Sequence, residues 1–298
     1  MPPRFRFWLA SCVAAIIGYY WLFLASKTLA AIRHSLSKAS PHAIRKSSAP
    51  IRVLHVTDPH LFADPTGTLR GTVTHSSLRD VLAHIQSSDW PADFIAMTGD
   101  VIQDDSRGAY AQFRELIEPL GLPVFCVPGN HDVRELMRGA LSEPPFHYCA
   151  TLRRDDWLIV GIDSCVHDSA EGCVEESELG RLEDEISGTD AEHVLVCLHH
   201  PPLPMGSTWL DTVGLSNSAE FLDSITQSGL VRAAIFGHVH QDFDQLHESI
   251  RIIGTPSTCR QFQAGSDEFA LDDNPPAYRR IYLHSDGSVE SELIWLPT

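Results

Sequence analysis

Paired cysteine is what this sequence most clearly lacks. Its seven cysteines (Cys12, Cys126, Cys149, Cys165, Cys173, Cys197, Cys259) are odd in number, and no two stand in a C-x-x-C spacing. That argues against a disulfide framework and against a thiolate-rich structural zinc site. Cys126 and Cys197 lie inside apolar runs, where free cysteine behaves as a small hydrophobe, so the pattern fits a reducing compartment. Positive charge is also scarce. Lys and Arg number 22 against 39 Asp and Glu, a net charge of −17, which argues against general nucleic-acid binding. The chain shows no internal repeat, which excludes a solenoid. It does have 298 residues, 43% of them hydrophobic, enough for one large domain or two small ones with a sizeable core.

The first fifty residues lack something else. They contain seven Lys or Arg and no acid; the first acid is Asp58. Setting those seven positive charges aside takes the remainder from −17 to −24. Residues 7–25 carry no charge at all, and at 19 residues the run is just long enough to span a bilayer, which takes roughly 20. Trp8, Tyr19, Tyr20 and Trp21 suit interfacial anchoring. Three readings stand: a single membrane anchor, a cleaved signal (although no clean small-x-small site follows), or an upstream extension absent from the working protein. If the run spans, Lys27, Arg33, Lys38, Arg45 and Lys46 outnumber Arg4 and Arg6. The globular part is then cytoplasmic, anchored to the cytoplasmic face of the inner membrane. Residues 34–50 read as a Ser-, Ala- and basic-rich linker. The expected division is therefore 1–50, hydrophobic segment and linker, and 51–298, globular domain.

Within 51–298 strands alternate with helices. Apolar runs at 51–57, 93–98, 123–127, 157–162, 193–198 and 231–236 read as strands, with shorter β-like runs at 251–255, 280–283 and 292–296. Helical spacing of apolar residues marks 76–87, 106–118, 177–187 and 219–228. This predicts an α/β sheet with helices outside. Five of the strands end in polar residues: Asp58 and His60; Asp100; Asn130 and His131; His199; His238 and His240. One such end, Pro128-Gly129-Asn130-His131-Asp132, is by itself a turn with polar residues. Five together, at the strand ends that form the ligand crevice of an open α/β sheet, predict a metal site.

The ligand types are carboxylate, amide oxygen and imidazole, with no thiolate, which suits Mn²⁺, Fe²⁺ or Zn²⁺. They are too many for one ion, so two ions sharing a carboxylate are expected. Such a pair suits in-line displacement at phosphorus, with a metal-bound hydroxide as nucleophile. His131, beside the site, is the expected proton donor to the leaving oxygen.

Asp58-x-His60, Gly99-Asp100, Gly129-Asn130-His131-Asp132, His199 and Gly237-His238-x-His240, in this order, resemble the calcineurin-like metallophosphoesterases. Further stretches resemble the bacterial class III 3′,5′-cyclic-AMP phosphodiesterases among them: His60–Asp64, Gln103–Tyr110, Trp209–Asp211, Thr255–Phe262, and Pro275–Arg279 followed by Asp286-Gly287. The resemblance covers roughly 51–296. It implies a four-layer α/β sandwich of two facing mixed sheets flanked by helices. It also implies one metal on Asp58, His60, Asp100 and His240, and another on Asp100, Asn130, His199 and His238, with Asp100 bridging. Nucleotide would contact His60, Asp100, Asn130, His131 and His240. The implied reaction is hydrolysis of cyclic AMP to 5′-AMP, which lowers cellular cyclic AMP. The alternative is a broader phosphomonoesterase or phosphodiesterase acting on nucleotides or lipid-linked pyrophosphate. A non-catalytic module would lack a ligand or His131, and none is missing. Nothing in the sequence decides the oligomeric state, the metal, or cyclic AMP against cyclic GMP.

Other polar residues read as structural. His200 is expected on the face opposite His199 if the strand continues through both. Asp163 is expected to cap a turn, His55 to be packed or hydrogen-bonded inside its strand, Arg107 and Arg260 to lie at the surface or in ion pairs, and Cys259 to be structural. Pro59 stiffens the loop between two ligands without removing either.

Overall fold

The computed structural model describes residues 49–297. The apolar run 7–25 lies outside them. Among the described residues no helix is long and apolar enough to cross a membrane.

Twelve strands form two six-stranded mixed sheets. The first contains β1 (Ile51–Val56), β2 (Phe94–Met97), β3 (Val124–Cys126), β4 (Phe146–Tyr148), β11 (Ala277–Leu283) and β12 (Val289–Trp295), in the order β12-β11-β1-β2-β3-β4. The second contains β5 (Thr151–Arg154), β6 (Trp157–Gly161), β7 (His193–Cys197), β8 (Val231–Phe236), β9 (Phe243–His247) and β10 (Ile250–Gly254), in the order β9-β10-β8-β7-β6-β5. The central pairs of each sheet are parallel, while β11, β12, β9 and β5 pair antiparallel.

Side-chain alternation along the strands builds the layers. Val53, Phe94, Ala96, Phe125, Leu195, Ala233, Ile235 and Ile253 pack between the two sheets. The intervening residues of the first sheet, Leu54, Val56, Ile95 and Met97, face α1 (Thr74–Ser87), α2 (Arg107–Ile117) and α3 (Arg134–Ala140). Those of the second, Val194, Val196, Ala234 and Phe236, face α4 (Glu176–Gly188) and α5 (Ser218–Gln227). A strand buried on both faces reads as a continuous apolar run, which is why these runs stand out in the sequence. The result is the expected four-layer sandwich. Short edge strands β4, β5 and β9 and helix α3 were not anticipated. β5 reads Thr-Leu-Arg-Arg and is only partly buried, so no apolar run marks it. The run at 280–283 extends back to Ala277.

Candidate metal centre

The C-terminal ends of β1, β2 and β3 in one sheet and of β7 and β8 in the other open toward one place. Two close approaches make that convergence possible. A Cβ on Gly129 would stand 2.2 Å from Asp100 Oδ1, and one on Gly237 would stand 2.1 Å from Thr57 Oγ1. Only glycine lets the two loops reach the carboxylates. The backbone is unusual too: Asp58, His60, Asp100, His238 and His240 all have left-handed φ, between +48° and +69°. Such conformations cost of order 1–3 kcal/mol each, and persist where the surrounding structure over-determines them. Here it does: Asp58 N–H donates to Gly99 O, His60 N–H to Asp100 O and His238 N–H to the Asp58 carboxylate.

All seven expected ligands come together. His60 Nε2 lies 3.1 Å from His240 Nε2, 3.9 Å from Asp58 Oδ1 and 3.7 Å from Asp100 Oδ2. His199 Nε2 lies 3.2 Å from Asn130 Oδ1, 3.1 Å from His238 Nδ1 and 3.5 Å from Asp100 Oδ1. The six His and Asp side chains of this group are buried, and Asn130 is half-buried. Tautomers follow from the outer bonds. His199 donates Nδ1–H to Thr98 O at 2.7 Å and His240 donates Nδ1–H to Arg260 O at 2.5 Å. Each therefore turns Nε2 inward, onto acceptor oxygens and other ring nitrogens. Buried lone pairs facing one another repel unless a proton or a cation lies between them. Burial pushes the Asp58 and Asp100 carboxyls up, but the His240 and His199 imidazoles facing them outweigh it. Both sit below the ordinary carboxylate range, Asp100 well below. Burial lowers His199, yet the Asp100 carboxylate outweighs it and raises the ring to about 9. Burial lowers His60 to about 4 and His238 to about 3. Two carboxylates held as anions, His60 and His238 kept neutral by burial, and positive charge drawn to His199 by Asp100 give the cluster the donor chemistry of a divalent-metal site.

The sequence matches the calcineurin-like phosphoesterase family over residues 51–242. This chain belongs to that family. It is a metal-dependent phosphoester hydrolase. The phosphoesterase is similar to the 3′,5′-cyclic adenosine monophosphate phosphodiesterase CpdA of Haemophilus influenzae, with 36% identity over 82% of this chain and 89% of that one. It is similar also to CpdA of Pseudomonas aeruginosa, with 35% identity over 87% of this chain and 92% of that one. Among solved structures, a dimetal phosphatase from Danio rerio shares the fold, with a TM-score of 0.57 over 83% of this chain and 100% of the other at 16% identity.

Several residues of this phosphoesterase carry more than the sequence implied. His131 is exposed; its ring stands 5.1 Å from that of His60, its backbone N–H donates to Asp100 Oδ1 at 2.9 Å, and Gln103 Nε2 donates to its Nδ1 at 3.2 Å. Asp132 accepts from the N–H groups of Gly129 and Val101 and from the Tyr110 hydroxyl, pinning the loop that presents Asn130. Burial and the Asp100 carboxylate push Asp132 up to about 7. Phe262 stacks flat on the His240 ring at 4.2 Å; its place in the Thr255–Phe262 stretch was its only sequence signal. His200 is a correction. β7 ends at Cys197, so strand alternation stops before the histidine pair. The His200 ring lies 4.9 Å from His199 and 4.8 Å from His238, with Nδ1 2.9 Å from Ser164 Oγ. It flanks the site and does not point away. The other structural expectations agree with the packing. Asp163 Oδ1 accepts from Cys165 N–H, Arg260 pairs with Asp273, Cys259 is buried, and His55 bonds Thr98 and Thr255. A cleft of about 750 Å³ opens from Asn130 and His131, lined also by Asp105, Arg134, Val166 and His167.

Proposed function

We propose that this chain hydrolyses 3′,5′-cyclic AMP to 5′-AMP at a centre of two divalent cations, Fe²⁺ or Mn²⁺ ahead of Zn²⁺. The observation that carries the reading is the paired donor set about one carboxylate: Asp58, His60 and His240 on one side of Asp100, and Asn130, His199 and His238 on the other. Similarity to phosphodiesterases named for cyclic AMP, at about 35% identity over most of both chains, supports the substrate.

When bound, the two ions neutralise phosphate charge and lower the pKa of the attacking water. The chain's own residues do the rest. Asp58, His60, Asp100 and His240 would hold one ion and Asp100, Asn130, His199 and His238 the other. His60, Asp100, Asn130, His131 and His240 line the phosphate position. His131, as the imidazolium, would give a proton to the departing O3′ and be left a neutral ring, its Nδ1 beside the Gln103 side-chain amide. Because O3′ belongs to the ribose, a leaving oxygen facing His131 puts the nucleoside on the His131 side, toward the cleft. That cleft is large enough for a drug-sized ligand, whose sites run roughly 300–1,000 Å³.

A panel of phosphate esters, assayed with added Mn²⁺ or Fe²⁺, tests the substrate. Cyclic AMP should have the highest kcat/KM, ahead of cyclic GMP, nucleoside monophosphates and a lipid-linked pyrophosphate. Equal rates across the panel would favour the broader esterase. The lipid substrate taking first place would make the 7–25 run part of substrate delivery.

We further propose that residues 51–298 form the whole catalytic unit, acting in the cytoplasm, and that the N-terminal segment only localises it or is absent from the working enzyme. Every proposed ligand lies at or beyond Asp58. A chain beginning at Ser47 should be soluble, bind two ions and keep its kcat and KM for cyclic AMP, while the full chain fractionates with membranes. Loss of folding in the shortened chain would make the segment part of the working domain.

A further inference from the structure

His55 looks like a satisfied core histidine, buried between the sheets and paired across β11 with Arg279. Its bonds continue in both directions. Arg279 Nε lies 3.2 Å from Thr255 Oγ1, Thr255 Oγ1 2.7 Å from His55 Nδ1, and His55 Nε2 2.8 Å from Thr98 Oγ1. Thr98 Oγ1 lies 2.8 Å from Thr57 Oγ1, and Thr57 Oγ1 2.6 Å from Asp58 Oδ2. All six residues are buried, Arg279 at 3% exposure and the rest at 0%.

The two ends dictate the sense of every bond. A guanidinium only donates, so Thr255 accepts from Arg279. An ionised carboxylate only accepts, so Thr57 donates to Asp58. Thr57 has then spent its one proton, so Thr98 must donate to it. Thr98 has then spent its own, so it accepts from His55, which must carry Nε2–H. Neutral His55 then accepts at Nδ1 from Thr255, whose oxygen is already taking the Arg279 proton. The sense is set from the Asp58 end; at the other end Thr255 accepts from Arg279 and keeps its proton for Nδ1, so each hydroxyl is used once as donor and once as acceptor. A run of hydrogen bonds aligned in one sense polarises along its length.

We infer that His55 is a positioning residue for the metal centre: with Thr57, Thr98 and Thr255 it carries a one-way chain of hydrogen bonds from Arg279 to Asp58, which occupies Oδ2 and leaves Oδ1 turned toward His60 and His240. The inference rests on the proposed role of Asp58 as a metal ligand. Three features single the chain out from ordinary core polarity. It ends on a ligand carboxylate. Its last bond needs the gap at Gly237, where a Cβ would stand 2.1 Å from Thr57 Oγ1 and 2.6 Å from Asp58 Oδ2. Its first member is tied down independently, since Arg279 also donates to Gly254 O, Ser291 Oγ and the Asp242 carboxylate.

Two measurements on the full-length protein test it. In the metal-free wild type with ¹⁵N-labelled histidine, two-bond ¹H–¹⁵N spectra should report His55 as neutral with its proton on Nε2. In chelator competition with Mn²⁺, Thr98→Val should weaken one of the two ions by about tenfold, the scale for losing an outer hydrogen-bond partner of a metal ligand, and leave the other unchanged. Thr98→Ser, which keeps the hydroxyl, should restore the affinity. A proton on Nδ1, or Thr98→Val binding Mn²⁺ as the wild type does, overturns the inference alone. A wild-type chain that binds no Mn²⁺ overturns the metal-centre reading and this inference with it.

Discussion

Asp100→Ala is expected to empty the centre of both metals. The carboxylate faces two groups of donors at once: Oδ2 lies 3.7 Å from His60 Nε2 and Oδ1 3.5 Å from His199 Nε2. It sets one oxygen against an imidazole Nε2 of each group. Removing any other leaves one donor set whole, whereas removing Asp100 strips an anionic oxygen from each. Metal content of protein purified without chelator should fall from about two ions per chain to about none, and hydrolysis should drop by roughly 10³-fold or more, since each ion supplies several kcal/mol of charge stabilisation. Asp100 Oδ1 also accepts the His131 backbone N–H, so a slack loop could mimic the effect. Asp100→Asn keeps that acceptor and the shape of the side chain while losing the charge. It should lose metal nearly as completely. Retention of both ions in the alanine variant would show that Asp100 does not bridge.

His131→Ala is expected to cut turnover of cyclic AMP by roughly 10²–10⁴, the usual scale for a lost general acid, with metal content unchanged. The neighbouring Asn130 already contributes its oxygen beside His199, and His131 is exposed at the mouth of the cleft. A proton donor matters only when the leaving oxygen is basic. With a nitrophenyl phosphodiester the loss should shrink, because a phenolate with a low pKa departs unassisted. An equal loss on both substrates would remove the proton-donor role. A parallel loss of metal would make His131 a ligand instead.

How much of this was visible before the structure depends on what each residue does. Asp58, His60, Asp100, Asn130, His199, His238 and His240 stood out because each follows an apolar run, and a strand buried on both faces cannot hide where it ends. The four longer α-helices were visible for a related reason: an apolar stripe at helical spacing has to be buried. β5 and β9 were not, because half-exposed edge strands need no such pattern.

The sequence by itself determined the inventory: strand and helix alternation, ligand chemistry without thiolate, and the glycines at 129 and 237 beside them. Those are local properties, set by what a side chain is and what precedes it. Only the tertiary structure decided which donors face which. It placed β7 and β8 in a different sheet from β1, β2 and β3 and aimed both sets of strand ends at one point. It turned His200 toward the site because the strand stops at Cys197, a boundary no alternation rule contains. It also linked His55 to Thr255, 200 positions away at the end of β10 in the other sheet. Hydrogen bonds of that separation depend on how two sheets stack, and stacking is a property of the whole chain.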